Sequence, residues 1–344
     1  MALKSRLLPL VLATIVPCGV GCGSGIAIAP PSKLATGAAT TIYVTQLANS
    51  TAVGPGSILE FSASASGTAQ PLRIVTPPPA LIALQGMTVD SVSGDIYVGG
   101  FTTTLTNKIS QVYQLASGAN GLAVPTKSLL VSGGNPGEMI VDSAGNLYVG
   151  SDAEIDVFSP SGGAQPVRVI SGSSTQLSEV NGIAVDKQGN IFVTNGFSGI
   201  GSVLVFASTA NGNVPPLRTI TGVGTANFYG PSGIALDTTG NLYVASYLSQ
   251  TPSPAQPASI FELASGTSGF GTPLSTITGS STGLAGVGSM QFDGADNLYV
   301  LVISPGGQPS ISVFSQGSNG NVPPVRTFSS TAWTDTGYGQ IGLY

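Results

Sequence analysis

Five aspartates recur at similar intervals: Asp90, Asp142, Asp186, Asp237 and Asp293, separated by 52, 44, 51 and 56 residues. A carboxylate array can share protons for acid–base work or hold a hard cation through oxygen. The surroundings of these five give them another task. Each closes a short apolar run and opens a turn, as in Gly182-Ile183-Ala184-Val185-Asp186-Lys187-Gln188-Gly189-Asn190. An aspartate at that place accepts backbone N–H bonds within its own turn, and the glycine after it takes the left-handed conformation that a bulged hairpin needs. One such residue per repeat rings a face of the molecule without converging on a point. The five are therefore read as structural turn residues.

The other chemistry on offer is narrow. The chain has no histidine, which removes the commonest general base, zinc ligand and nucleophile activator together. Where the apolar runs begin, three copies carry Gly86, Gly182 and Gly233, and the others carry Glu138, Ser289 and Gln340. Glu138 puts a carboxylate where sister repeats have none. With Asn135, Asp152, Glu179, Asn181 and Asn195 in loops of the same face, it supplies oxygen ligands of the kind that suit Ca²⁺ or Mg²⁺. Glu138 is the candidate metal ligand, and no cofactor is assigned beyond that. Loop aromatics Phe101, Phe197, Phe228, Tyr229, Tyr247, Trp333 and Tyr338 offer a stacking surface for a sugar or a protein. The candidate ligand-binding residues are Glu138, Asn181, Asn195 and Trp333. Arg73, Arg168, Arg218 and Arg326 share one repeat position and are expected to lay their aliphatic stems over a neighbouring repeat.

The elements that position these residues are short strands. Besides the first strand ending at each aspartate, the repeat carries a second (Asn190 to Thr194), a third (Ser202 to Phe206) and a fourth that opens with proline (Pro216-Leu217-Arg218). Proline loses no ladder donor at the start of an outer strand. A period near fifty built of such strands predicts a β-propeller. Six second, six third and six fourth strands can be counted, but the N-terminal strand Thr41-Ile42-Tyr43-Val44 has no first strand before it. Gln340-Ile341-Gly342-Leu343-Tyr344 resembles the missing one. The expected fold is thus all-β: a six-bladed propeller of four-stranded antiparallel blades over residues 39–344, closed by the C-terminal strand pairing in the N-terminal blade. Blade 6 has Asp296 where its sisters have the turn glycine, and aspartate tolerates the left-handed region.

The phrase Gly-Ile-Ala-x-Asp-x-x-Gly-Asn-[Ile/Leu]-[Tyr/Phe]-Val resembles the NHL repeat, and Tyr43-Val44-Thr45 and Phe192-Val193-Thr194-Asn195 echo the YVTN type of bacterial surface proteins. The resemblance spans residues 39–344 and implies the propeller. It is weak on function, since propellers of this kind include scaffolds, ligand binders, lyases and lactonases. In gluconolactonase-type propellers, to which the architecture is similar, acidic and amide side chains hold one divalent ion in the channel. The lyase branches use histidine, which this chain lacks.

The N-terminus reads as an export signal. Lys4 and Arg6 precede the apolar stretch Leu7 to Val16, which is too short to span a membrane as a stable helix. Val20-Gly21-Cys22 then resembles the end of a bacterial lipoprotein signal, with Cys22 as the acylated residue. Residues 1–22 are the expected signal and 23–38 a flexible tether. Cys18 and Cys22 are the two cysteines, so the propeller relies on packing without a disulfide. The formal charge is −5, or −7 once Lys4 and Arg6 are removed, and no basic patch points to nucleic acid. Of 344 residues 42% are hydrophobic and 7% charged, enough to fill a large core. The expected role is a non-catalytic binding or interaction module of the cell envelope, held to the membrane through its lipid. It would act as a monomer and take a protein or glycan ligand on the loops over the channel. A divalent-metal lactonase or hydrolase, a periplasmic or secreted form, and a structural spacer are the alternatives.

Overall fold

Apolar runs broken by glycine and aspartate turns can satisfy their backbone groups only by pairing with neighbours, and in the computed structural model they do so as six radial sheets. The structure describes residues 39–46, 56–103, 108–196, 199–246, 258–303, 308–333 and 339–344. The expected signal and tether, Cys22 included, lie outside them. Blade 1 runs outward from Ile341–Leu343 through Thr41–Gln46 and Ser57–Ser62 to Arg73–Thr76. Blade 2 holds Ala83–Val89, Ile96–Thr103, Lys108–Leu115 and Lys127–Leu130, and blade 3 holds Pro136–Val141, Leu147–Ser151, Glu154–Phe158 and Arg168–Ser171. Blade 4 holds Val180–Val185, Ile191–Asn195, Ile200–Phe206 and Arg218–Val223. Blade 5 holds Ile234–Leu236, Leu242–Ser246, Ser259–Leu263 and Ser275–Ile277, and blade 6 holds Val287–Phe292, Leu298–Val302, Ser310–Phe314 and Arg326–Ser329.

Ring closure occurs where the sequence places it. Ile42 pairs with Leu343, Tyr43 with Gly342 and Val44 with Ile341. The apolar residues that alternate along each strand meet those of the adjacent blade, so the core is a set of layers between blades. One layer joins Ile42, Val44, Leu59 and Phe61 of blade 1 to Leu301, Ile311, Val313 and Phe328 of blade 6. Another joins Tyr148, Ile155 and Val157 of blade 3 to Ile191, Val193 and Leu204 of blade 4.

Three features go beyond four plain antiparallel strands. Blade 4 carries a further strand, Ala226–Tyr229, which pairs with both Ile200–Gly201 and Gly222–Val223 and buries Phe228 completely. Second, the loop between the third and fourth strands reaches back and runs parallel to the outer strand of the preceding blade. Gly67 pairs with Phe328, Gly121 with Val75, Gly212 with Ile170, Gly269 with Ile220 and Gly320 with Ile277. These five glycines have φ between 61° and 76°, a left-handed conformation that costs glycine little. The outer edges, otherwise rows of unpaired donors and acceptors, are thereby partly covered. Third, the register between first and second strands shifts at Leu84/Gly86, Pro136/Met139, Val180/Gly182 and Val287/Met290. Glu138, Asn181 and Ser289 stand within these bulges.

Candidate functional site: the central channel

The innermost strands enclose a cavity of about 300 Å³. Glu138, Gly182, Gly233 and Ser289 line it where those strands begin, and Ser143, Lys187, Thr239 and Gly294 line it at the aspartate turns. Its exposed lining residues, among them Ser91, Val92, Ser143, Lys187, Gln188 and Thr239, all belong to the turn end. The mouth is therefore on the turn face, and the loop face expected from the sequence carries the pinched end. There the blades nearly touch. A Cβ on Gly86 would fall 1.7 Å from the carbonyl oxygen of Gly137, and one on Gly182 would fall 2.7 Å from that of Ser232. Glycine stands at these positions because a neighbouring backbone occupies the space.

Gln340, from the ring-closing segment, bolts three blades together at this end. Its Nε2 donates to the Gly137 carbonyl at 3.0 Å, its Oε1 accepts from the Met87 N–H, and its own N–H donates to Thr45 Oγ1 at 2.8 Å. Blades 1, 2 and 3 are joined through one buried amide. On the other side Gln291 of blade 6 accepts the Leu343 N–H at 3.0 Å. Sequence reasoning marked Gln340 only as a departure from glycine, and that departure was the available signal.

Glu138 lies beside this bolt. It is half-buried, with its remaining surface facing the cavity. Burial raises its carboxyl from 4.5 to about 7, against the opposing pull of a hydrogen bond from Gln340. No cation pairs with it among the described residues. Nor do the described residues gather three or more acidic or cysteine side chains that could hold a metal ion.

The other candidates do not join Glu138 in the cavity lining. Asn195 is 8% exposed and serves its own loop: Oδ1 accepts from Ser178 N at 2.8 Å and Glu179 N at 3.3 Å, and Nδ2 donates to the Gln176 carbonyl at 3.0 Å. Trp333 is 2% exposed in the layer between blades 1 and 6, so it is a core residue and not the stacking platform expected from its loop position. Phe228 is likewise fully buried. Asn181 is half-buried in its bulge, with Nδ2 left without a hydrogen-bond partner among the described residues. Phe197, Tyr247 and Tyr338 lie outside the described residues.

The aspartates do turn work. Asp186 Oδ1 accepts from Gln188 N at 2.9 Å and Asn190 N at 2.8 Å, and Oδ2 accepts from Asn190 Nδ2 at 2.8 Å. Asp142, Asp237 and Asp293 repeat this set with Asn146, Asn241 and Asn297, and Asp90 binds Val92 N and Ser93 Oγ. Asp186→Ala is expected to cost about 1 kcal/mol, as for a lost side-chain cap, when urea unfolding is compared with the parent chain. Asp296 holds φ at 57°, and its carboxylate also reaches blade 5, accepting from Thr238 N at 2.8 Å and from Thr238 Oγ1.

The arginines are bridges as well as covers. Arg168 donates to the Ala210 carbonyl at 2.9 Å, and Arg218 to those of Ser265 and Thr267, each in the following blade. Arg73 pairs with Glu60 and donates to Ser117 and Ala119 carbonyls of blade 2. The guanidinium groups of Arg168, Arg218 and Arg326 also stack over Tyr148, Phe192 and Tyr299 at about 6 Å.

Fold and channel together define a six-bladed β-propeller. Residues 167–194 match the family model described as Beta-propeller repeat. No curated protein matches the sequence. Among solved structures, the chain is similar to a protein of unknown function from Bacteroides caccae, at 11% identity and TM-score 0.56, covering 88% of this chain and 98% of that one. It is also similar to a candidate 6-phosphogluconolactonase from Bacteroides uniformis, at 17% identity and TM-score 0.54, covering 83% and 82%. The WD40 β-propeller domain of Doa1 is similar at 13% identity and TM-score 0.52, covering 81% and 80%. At such identities these are likenesses of fold.

Proposed function

We propose that this chain is a non-catalytic binding module of the bacterial cell envelope, an NHL- or YVTN-like propeller exported by its N-terminal signal and tethered through acylated Cys22. It works as a monomer, since ring closure pairs the inner edge of blade 1 and the outer edges are partly covered by the preceding-blade pairings. One observation carries the binding role: a cavity of about 300 Å³ that opens on the turn face, at the small end of ligand pockets, with a half-buried carboxylate at its inner end. That geometry moves ligand contact from the loops into the channel, with Glu138 as the contact residue.

A second reading has its own support. A carboxyl poised near neutrality suits a general base, and one structural neighbour carries a lactonase name. A divalent-metal lactonase would use Glu138 as ligand or base. Thermal melting after chelation, then with Ca²⁺, Mg²⁺, Mn²⁺ or Zn²⁺, separates the two. The binding module is expected to show no cation-specific rise that disappears in Glu138→Ala. Such a rise, together with turnover of a lactone or ester, would replace the binding module by the enzyme.

A further inference from the structure

Building on the channel-binding reading, we infer that the ligand of this cavity is a small organic cation: an ammonium head seated on Glu138 and an apolar body lying along the channel wall. Four features of the molecule meet in this assignment. Glu138 is an acid without a basic partner among the described residues, and its hydrogen bond from the neutral Gln340 amide leaves the charge uncompensated. A half-buried carboxylate so placed gains more from an arriving cation than an exposed one does, because water screens the attraction less.

The wall between Glu138 and the mouth is mostly apolar: Ile140, Ala184 and Ala235 line it on blades 3, 4 and 5, beside uncharged Thr88 and Gln291. A body of hydrocarbon fits that stretch, and a second charge does not. The mouth carries Asp142, Asp186, Asp237 and Asp293 against the lone cation Lys187, which donates to the Thr238 carbonyl. Their local field draws cations and repels anions. The far end narrows where Gly86 meets Gly137 and Gln340 reaches across them, so the turn face is the wider way in. A carboxylate or phosphate ligand would meet like charge at both ends of its path.

The test is calorimetric titration of the intact chain at pH 8 with n-hexylamine, n-hexanol and hexanoate, which share a body and differ in the head. The amine is expected to bind at least tenfold more tightly than the alcohol, and hexanoate not at all. Glu138→Gln is expected to reduce amine affinity at least tenfold and leave the alcohol unchanged. Lowering the pH to 5.5, where the Glu138 carboxyl holds its proton, should weaken the amine in the parent chain and have little effect on the variant. The turn aspartates and Lys187 also line the channel but are shared by both chains, so a pH effect confined to the parent belongs to Glu138. Amine and alcohol binding alike, or an amine affinity indifferent to Glu138→Gln, would overturn the cation assignment while leaving a channel binder. Absence of binding by all three probes would overturn both. A single cooperative melting transition of the variant at pH 5.5 and at pH 8 confirms that it is folded.

Discussion

Removal of residues 339–344 is expected to lower the melting temperature by at least about 10 °C and to make the protein prone to associate. Ile341 and Leu343 are 5% and 4% exposed, and each buried aliphatic side chain contributes about 1.5–3 kcal/mol. In a protein of this size each kcal/mol corresponds to roughly 2–4 °C. Gln340 leaves with them, so the buried Met87 N–H of blade 2 and the partly buried Gly137 carbonyl of blade 3 lose their bonds at about 1–3 kcal/mol each, the second at the lower end. The strand Thr41–Gln46 would become an open inner edge facing the channel, a template for pairing with another copy. Thermal melting and size-exclusion chromatography of the truncated and intact chains check this. Coincident melting curves would show that ring closure contributes little and that each blade stands on its neighbours alone.

Glu138→Gln should change how stability depends on pH. The Glu138 carboxyl titrates near 7 in the folded protein and near 4.5 when exposed. A raised folded value means that the native state binds this proton more tightly. Its contribution to stability is complete below about pH 4.5, declines as pH rises and is gone above about pH 7. The full shift corresponds to roughly 3 kcal/mol, and contact with channel water reduces it, so about 1–3 kcal/mol is expected. Glutamine keeps the shape and cannot ionise. The variant should therefore match the parent near pH 4.5 and exceed it by about 1–3 kcal/mol at pH 8, measured by urea unfolding. Asp156, also raised by burial, is present in both chains and cancels in the difference. A parent-to-variant difference that stays constant from pH 4.5 to 8 would show that Glu138 is solvated in the channel.

Much of the frame was legible because the repeat is local. Asp142, Asp186, Asp237 and Asp293 bind donors two and four residues ahead and Asp90 donors two and three ahead, so spacing alone places them, and Asp296 at φ 57° follows from tolerance of a left-handed turn. Pairing of the C-terminal segment in blade 1 followed from counting strands, since a ring with one first strand missing has one place for it. Trp333 was misjudged for the opposite reason. Its neighbours in sequence are loop residues, but its neighbours in space are Ile42, Leu301 and Phe328, and nothing in a chain records which blades flank a loop.

The amino-acid sequence by itself determined the number of blades, their strands and turns, and the closing strand, because those depend on periodicity and on hydrogen bonds spanning a few residues. Only the tertiary structure decided which end of the channel is open. That outcome depends on backbones 51 residues apart meeting at Gly86 and Gly137, and on one glutamine reaching 203 residues back in the chain to the Gly137 carbonyl. It also decided what Glu138 is. The residue type gives a carboxylate, but its affinity for a proton comes from the protein packed around it, and burial becomes known only when the six blades close.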